Sequence, residues 1–311
     1  MAMVAGRPSE WTIEQTGEAW GVGRYGGGGP ATQAGYIVIA PEYASLKQGE
    51  YGYAVHQHAA ILAAIRDARK RFSVDSDRVI LAGHGMGADA TFDVACSHPD
   101  LFAGAVPISG LCRPPIGEYR MNAVHVPFYV VNGTLDRNAT EQNANDLSWM
   151  MKHGHDVLVC RYVGRGYEYY QEELPAILDW MNRVRRAPDP ATIEARVLRT
   201  SEDQFYWLRI NEFPQAFRPV NVTNPVSRSP RPMVVEARIS QGNTITLPAA
   251  ASRYILRLNE SLVDLDVPVK VRSRGRQVMN EFLEPEIGAL LDEVARTGDR
   301  QRLYPIRLVV N

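Results

Sequence analysis

The run Asp77-Arg78-Val79-Ile80-Leu81-Ala82-Gly83-His84-Gly85-Met86-Gly87-Ala88-Asp89 leaves a chain few ways to fold. Its first half is short and apolar, which suits a strand covered on both faces. Gly83, Gly85 and Gly87 then frame a tight turn, and the residues after it read as the opening of a helix. A strand that is buried on both faces and turns straight into a helix is the repeating unit of an open parallel sheet.

The neighbouring residues repeat that unit. Ala34 to Pro41 is a continuous apolar run closed by proline and reads as a strand. Tyr53 to Phe72 has helical spacing, with Ile61, Ile65, Ala68 and Phe72 on one stripe. The helix after the turn is expected to run to Ser97, where His98-Pro99-Asp100 breaks it. Leu101 to Ile108 and Val126 to Val131 follow as strands, the second ending in Asn132-Gly133-Thr134-Leu135-Asp136. A helix from Thr140 to His153 stops at Gly154. Val157 to Val163 is the last strand of the series, and Pro175 opens a helix to Val184. This alternation predicts an α/β fold with a doubly wound, mostly parallel sheet.

Residues 1–34 show no such pattern. The glycine-rich stretch Gly21 to Pro30 reads as a flexible segment, since no strand precedes it and no Lys-Ser/Thr pair follows. Trp11-Thr12-Ile13-Glu14 alternates in the manner of a half-exposed strand and does not suit a central one. After the stiff linker 187–190, Ala-Pro-Asp-Pro, the pattern changes to short and often alternating strands. These are Val197–Leu198, Phe205–Ile210, Met233–Ile239, Thr244–Leu247, Tyr254–Leu258 and Val267–Val271. Turns are expected at Gln241-Gly242-Asn243 and Ser273-Arg274-Gly275. A helix from Pro285 to Arg296 and a strand from Tyr304 to Val310 close the chain. Two domains are therefore expected, 1–186 and 191–311, the second an antiparallel β-sandwich.

A formal net charge of -1 gives no electrostatic reason to expect nucleic acid or an anionic membrane as a partner. No apolar run approaches the ~18 residues of a membrane helix, and no signal-peptide core opens the chain. Cys96, Cys112 and Cys160 have no metal-ligand spacing and read as reduced thiols in or near the core. His56 and His58, like His153 and His155, are i, i+2 pairs, which share no helix face; they read as surface residues without a metal. No cofactor is expected. As written the chain reads as cytoplasmic, with secretion expected only if an N-terminal part is lacking. The sequons at Asn138, Asn221 and Asn259 carry meaning only in a secreted chain.

The glycine-framed turn, the segment Gly35 to Pro41, His98 to Ala105, Asn132 to Asp136 and Gly164 to Glu168 together resemble the α/β-hydrolase superfamily, in its esterase and prolyl-oligopeptidase-like branches. The resemblance covers about half the chain. It implies a nucleophile elbow, Gly-x-Ser-x-Gly, and a triad in the chain order Ser, Asp, His. Mapped residue by residue, Gly85 takes the nucleophile position, Asp136 that of the acid and Tyr167 that of the base. Two of the three members are thus replaced, and Asp136 keeps a role whose partner imidazole is gone. The Met86 N–H is one oxyanion donor in the family pattern, and the second comes from the loop after a third strand. That strand would lie between 35–40 and 78–83 in the sheet. Nothing in residues 1–34 reads as it: the segment inserts anyway, the sheet closes without it, or, as is preferred here, an N-terminal part carried by relatives is missing.

Glycine has no side-chain nucleophile, and a phenol of ordinary pKa near 10 is a poor general base at neutral pH. Acyl-enzyme chemistry at this elbow is therefore not expected. Ser109, Cys112, His84 and His125 are the candidates for relocated chemistry, though each alone reads more simply as a turn or packing residue. Tyr167, Tyr169 and Tyr170 read as partly buried loop residues. The expected function is that of a degenerate hydrolase of esterase or peptidase ancestry. It would bind a small acyl or peptide-like ligand in the old cleft, or a protein through the C-terminal domain. The alternative is an active ester or peptide hydrolase working through water near Asp136. A third reading is a purely structural role in assembly.

Overall fold

The computed structural model describes residues 2–5, 20, 29–44, 48–112, 114–219 and 232–311. Residues 11–14, most of the glycine-rich stretch and the sequon at Asn221 lie outside them. The described residues fall into two compact units, one ending at Ala187 and one beginning at Pro188.

The first unit runs β1 (Ala2–Ala5), α1 (Pro30–Gln33), β2 (Val38–Ile39), α2 (Val55–Arg71), β3 (Ile80–His84), α3 (Met86–Ser97), β4 (Gly104–Ile108), α4 (Pro114–Tyr119), β5 (Phe128–Gly133), α5 (Arg137–Lys152), β6 (Val157–Tyr162) and α6 (Leu174–Arg183). The strands make one sheet in the order β2-β1-β3-β4-β5-β6. Every neighbouring pair is parallel. The doubly wound parallel sheet expected from the alternation is therefore present.

One expectation about this sheet is corrected. The position between 35–40 and 78–83 is filled, by Ala2–Ala5, which pairs from Ala2 with Ile80 to Ala5 with Gly83 and also meets Val38 and Ile39. Four small or apolar residues are too few to display a period, and a strand with partners on both sides needs no alternation. The run from Ala34 contributes only Val38–Ile39, because Pro30–Gln33 is helical and Ala34, Gly35 and Tyr36 donate back into that turn.

Residues of β3, β4 and β5 are buried throughout. Ile80, Ala82, Val106, Ile108 and Val131 face one core, shared with Ile177 and Trp180 of α6. The register turns Phe128 to the opposite face, where it stacks on Phe92 of α3 with ring centroids 5.9 Å apart. Helix α3 is buried on every side, polar residues included. Asp93 accepts from Tyr51 Oη at 3.0 Å and lies 2.5 Å from His58 Nε2, with both His58 and Asp93 side chains fully buried. His58 thus ties α2 to the helix behind the elbow.

His56 and His153 are exposed as expected, but His58 and His155 are buried, which corrects the reading of all four as surface residues. The i, i+2 offset itself explains the split for His56 and His58, since it turns one ring toward the core when the other faces solvent. Phe72, placed on the buried stripe by spacing, is exposed, because the helix ends at Arg71 and the chain leaves it in an extended conformation. The three cysteines are free thiols, Cys96 and Cys112 buried and Cys160 partly so. Among the described residues no helix is long and apolar enough to cross a membrane.

The second unit comprises β7 (Thr192–Val197), β8 (Gln204–Phe205), β9 (Leu208–Glu212), β10 (Met233–Ser240), β11 (Thr244–Leu247), β12 (Arg253–Leu258), β13 (Val269–Ser273), β14 (Arg276–Glu281), α7 (Ile287–Thr297) and β15 (Ile306–Val310). They form two sheets, β14-β13-β11-β10-β7 and β15-β12-β9-β8. One core draws on both, including Val197, Trp207, Val235, Leu256, Val271 and Ile306. The pairing is not purely antiparallel as expected. Strand β12 leaves for the other sheet between β11 and β13, so β13 returns parallel to β11. Strand β14 was not foreseen; its residues are mostly exposed and give no apolar signal.

Replacing His58 with Ala leaves the Asp93 carboxylate buried without its nearest partner. We expect a loss of about 1–3 kcal/mol, the cost of leaving a buried polar group without a hydrogen-bond partner. Adding Asp93→Leu should recover part of it. Urea denaturation followed by tryptophan fluorescence reads both.

Candidate active site

The elbow is present as a conformation. Gly85 has φ +56° and ψ −118°, between the end of β3 and the first residue of α3. That region of backbone space is reached by glycine at little cost and by other residues only under strain. The turn is held from both sides. Gly85 N–H donates to the Ile108 carbonyl at 2.9 Å, and the Gly85 carbonyl accepts from Ala88 and Asp89 N–H at 2.9 and 3.1 Å. Met86 opens α3, so its N–H is one of the first-turn donors with no acceptor inside the helix. The second oxyanion donor of the family pattern would follow β1, and residues 6–19 lie outside the described ones.

Tyr167 completes the picture at Gly85. A Cβ placed on residue 85 would collide with Tyr167 Oη and lie 3.0 Å from Tyr167 Cζ. The phenol hydroxyl therefore stands where the first side-chain atom of a nucleophile would be. The two positions that depart from the triad pattern are in contact, and each departure accommodates the other. Tyr167 is half-exposed, while Tyr169 and Tyr170 are buried.

Next to it, His84 and Ser109 converge on one backbone atom. His84 Nε2 lies 3.0 Å from the Glu168 carbonyl oxygen, and Ser109 Oγ donates to the same oxygen at 3.2 Å. A carbonyl only accepts, so Nε2 carries the proton and Nδ1 holds the imidazole lone pair. Burial pushes the His84 pKa down to about 4, and the bond to Glu168 only partly opposes this. The imidazole is thus neutral near pH 7. Its ring is 4.8 Å from that of Tyr167 and 5.4 Å from that of Tyr169. Ser109 has φ +50° and ends β4 at the carboxyl edge of the sheet. Its hydroxyl proton goes to a carbonyl rather than a base, so the serine is not activated by this contact.

Asp136 lies at the end of the next connection. It is the N-cap of α5, accepting from Ala139 N–H at 3.5 Å. Its other oxygen, Oδ2, is buried and has no hydrogen-bond partner among the described residues. Burial raises its pKa above the usual carboxylate value, with the Ala139 bond pulling the other way. The loop that carries Tyr167 reaches this point because Gly133 has no side chain. A Cβ there would meet the Arg165 carbonyl and Tyr170 Oη. Leu135 N–H then donates to the Arg165 carbonyl at 2.8 Å, fastening the two loops together.

Cys112, the other nucleophile candidate, is poorly suited to react. Burial pushes the Cys112 thiol well above its ordinary pKa, with nearby Asp146 adding to the effect, so it is a poor source of thiolate. Among the described residues no group of His, Cys, Asp and Glu could hold a metal ion. What sequence reasoning missed is the Glu168 carbonyl. A backbone acceptor has no residue signature, and only the fold brings His84 and Ser109 to it.

Residues 31–177 match the dienelactone hydrolase family. Among solved structures, SOBER1 of Arabidopsis thaliana is 15% identical over 58% of this chain and 96% of its own, with a TM-score of 0.41. A carboxylesterase from Mesorhizobium loti is 12% identical over 58% and 88%, with a TM-score of 0.42. S-formylglutathione hydrolase (FrmB) from Staphylococcus aureus is 14% identical over 58% and 82%, also at 0.42. A search of curated proteins gives no match to this chain. The parallel sheet with its strand-to-helix elbow, together with the family match, defines the first unit as an α/β-hydrolase fold. The dienelactone hydrolase match spans just under half of the chain, all of it within the first unit.

Two outcomes are expected from this geometry. Gly85→Ser alone should cost about 1–3 kcal/mol, from the backbone region and the collision with Tyr167. In the double variant with Tyr167→Ala part of that cost should vanish, a coupling of about 0.5–3 kcal/mol in a double-mutant cycle. The second concerns pH. His84 is neutral when folded down to about pH 4, whereas an unfolded histidine protonates near 6.5. Its contribution is therefore complete above about pH 6.5 and is lost as pH falls through 4, a change of about 3 kcal/mol. His125 and His155 are also shifted down by burial and act with the same sign. Acid unfolding of His84→Gln should show a flatter limb across that window.

Proposed function

We propose that the first unit is a hydrolase fold disarmed at its elbow, which binds a small acyl or peptide-like ligand in the former cleft and does not cleave it by the serine mechanism. The observation that carries this reading is the position of Tyr167 Oη in the space a side chain on residue 85 would need. Gly85 supplies no nucleophile, Tyr167 takes the base position, and Asp136 orients no imidazole. We further propose the second unit as the surface for a protein partner. Nucleic acid and membranes are not among the expected partners, given the near-zero net charge of -1. Three free thiols suit a reducing compartment such as the cytoplasm.

A second reading has one observation in its favour. Asp136 Oδ2 is buried without a partner, and its raised pKa describes a carboxylate more basic than usual. Such a group suits holding a water for direct attack on an ester.

Hydrolysis of p-nitrophenyl acetate and butyrate separates the two. The wild type is expected to show no saturable turnover, whereas Gly85→Ser/Tyr167→His rebuilds the triad pattern around Asp136 and should gain it. Turnover by the wild type, lost in Asp136→Ala without a change in melting temperature, would establish the second reading in place of the first.

A further inference from the structure

A cleft of about 200 Å³ opens on the other side of Asp136, between α5 and the strands β5 and β6. No elbow residue lines it. Its walls carry Ala139, Ala144, Leu147, Met151 and Val159 beside the polar Asn132, Asn143, Ser148 and Arg161, and of the polar ones Asn132 and Arg161 stand on the strands. A cavity of ~150 Å³ holds a benzene-sized molecule, so the space suits a small organic ligand.

Both polar strand residues are uncommitted. Asn132 is 3% exposed, and its Oδ1 is buried with no hydrogen-bond partner among the described residues. Buried carbonyl-type oxygens are almost always satisfied, so an orphan facing a cleft points to a donor supplied from outside. Arg161 is exposed, and its guanidinium has no ion-pair or hydrogen-bond partner among the described residues. Asn132 and Arg161 are register partners on adjacent parallel strands, so their side chains leave the same face of the sheet, as do Val130 and Val159 beneath them. Asn143, the third polar residue near the floor, is already engaged: its Nδ2 donates to the Gly110 carbonyl at 2.8 Å and its Oδ1 accepts from Cys112 N–H at 2.7 Å.

We propose that this cleft binds a short-chain monocarboxylic acid bearing a hydroxyl or amino donor next to the carboxylate. The guanidinium is matched to a carboxylate, in which two N–H groups meet two oxygens. Asn132 Oδ1 takes the hydroxyl or amino proton, and the aliphatic body lies against Leu147, Met151 and Val159. The assignment stands independently of what the elbow does.

The test uses the full chain with 2-hydroxyisocaproate as probe, followed by thermal shift and by saturation-transfer NMR. The wild type is expected to bind saturably and to gain melting temperature. Isocaproate, which lacks the hydroxyl, should bind more weakly, and the neutral 2-hydroxyisocaproamide should bind at least tenfold more weakly. Arg161→Gln should weaken the hydroxy acid at least tenfold, and Asn132→Ala should abolish the preference for it over isocaproate. Because Asn132 is buried, Ala144→Trp provides a second variant: Ala144 is an exposed cleft residue on α5, and the indole should close the cleft while leaving the melting curve of the unliganded protein unchanged. Absence of saturable binding in the wild type would overturn the proposal. So would binding that persists undiminished in both Arg161→Gln and Ala144→Trp.

Discussion

The contact between the Tyr167 hydroxyl and the backbone of Gly85 governs what this fold can do. An elbow serves catalysis because its strained backbone lifts one side chain above the sheet, clear of neighbours and open to a substrate. Here the backbone keeps that shape, with φ at +56°, and the space above it belongs to a tyrosine from another loop. The collision is short-range repulsion, the steepest term available to a protein, and it makes residues 85 and 167 a single unit. Any side chain placed on residue 85 meets Tyr167.

The loop that carries the tyrosine is held in place by several neighbours. The Glu168 carbonyl, one residue on, accepts hydrogen bonds from both His84 and Ser109 and so fixes the loop against β3 and β4. Gly133 admits the Arg165 carbonyl and Tyr170 at the end of β5. Behind the elbow, α3 is anchored through His58 and Asp93, both fully buried. Desolvation keeps His84 neutral and raises the Asp136 carboxyl, so the polar groups around the cleft are poised by burial rather than by pairing with one another. Two acceptors on this side of the sheet, Asp136 Oδ2 and Asn132 Oδ1, are buried without partners among the described residues. Such groups are costly to keep unsatisfied.

Much of the first unit was legible because buried parallel strands announce themselves: Ile80–His84, Gly104–Ile108 and Phe128–Gly133 are near-continuous apolar runs. The helix end at Ser97 and the helix start at Leu174 followed, to within a residue, from His98-Pro99-Asp100 and from Pro175. Ala2–Ala5 was not legible, since a four-residue strand shows no period and its place in the sheet depends on partners far along the chain. The burial of His58 and His155 was hidden because histidine is at home on either side of a helix, and only packing decides. At the site, the pattern singles out Gly85, Asp136 and Tyr167 as candidates. That two of them touch is a fact of three dimensions, as is the convergence of His84 and Ser109 on one carbonyl. In the second unit the strands were largely readable, but the parallel return of β13 depends on which sheet β12 joins, and nothing local in the sequence states that.

The central claim is that no activated nucleophile exists at or beside this elbow. Intact-mass spectrometry after exposure of the folded wild type to diisopropyl fluorophosphate tests it most directly, because that reagent reports an activated hydroxyl without requiring knowledge of a substrate. The account predicts an unchanged mass. A stoichiometric adduct mapping to Ser109 or to Tyr167, and lost on unfolding, would contradict it and restore the unit to the working hydrolases.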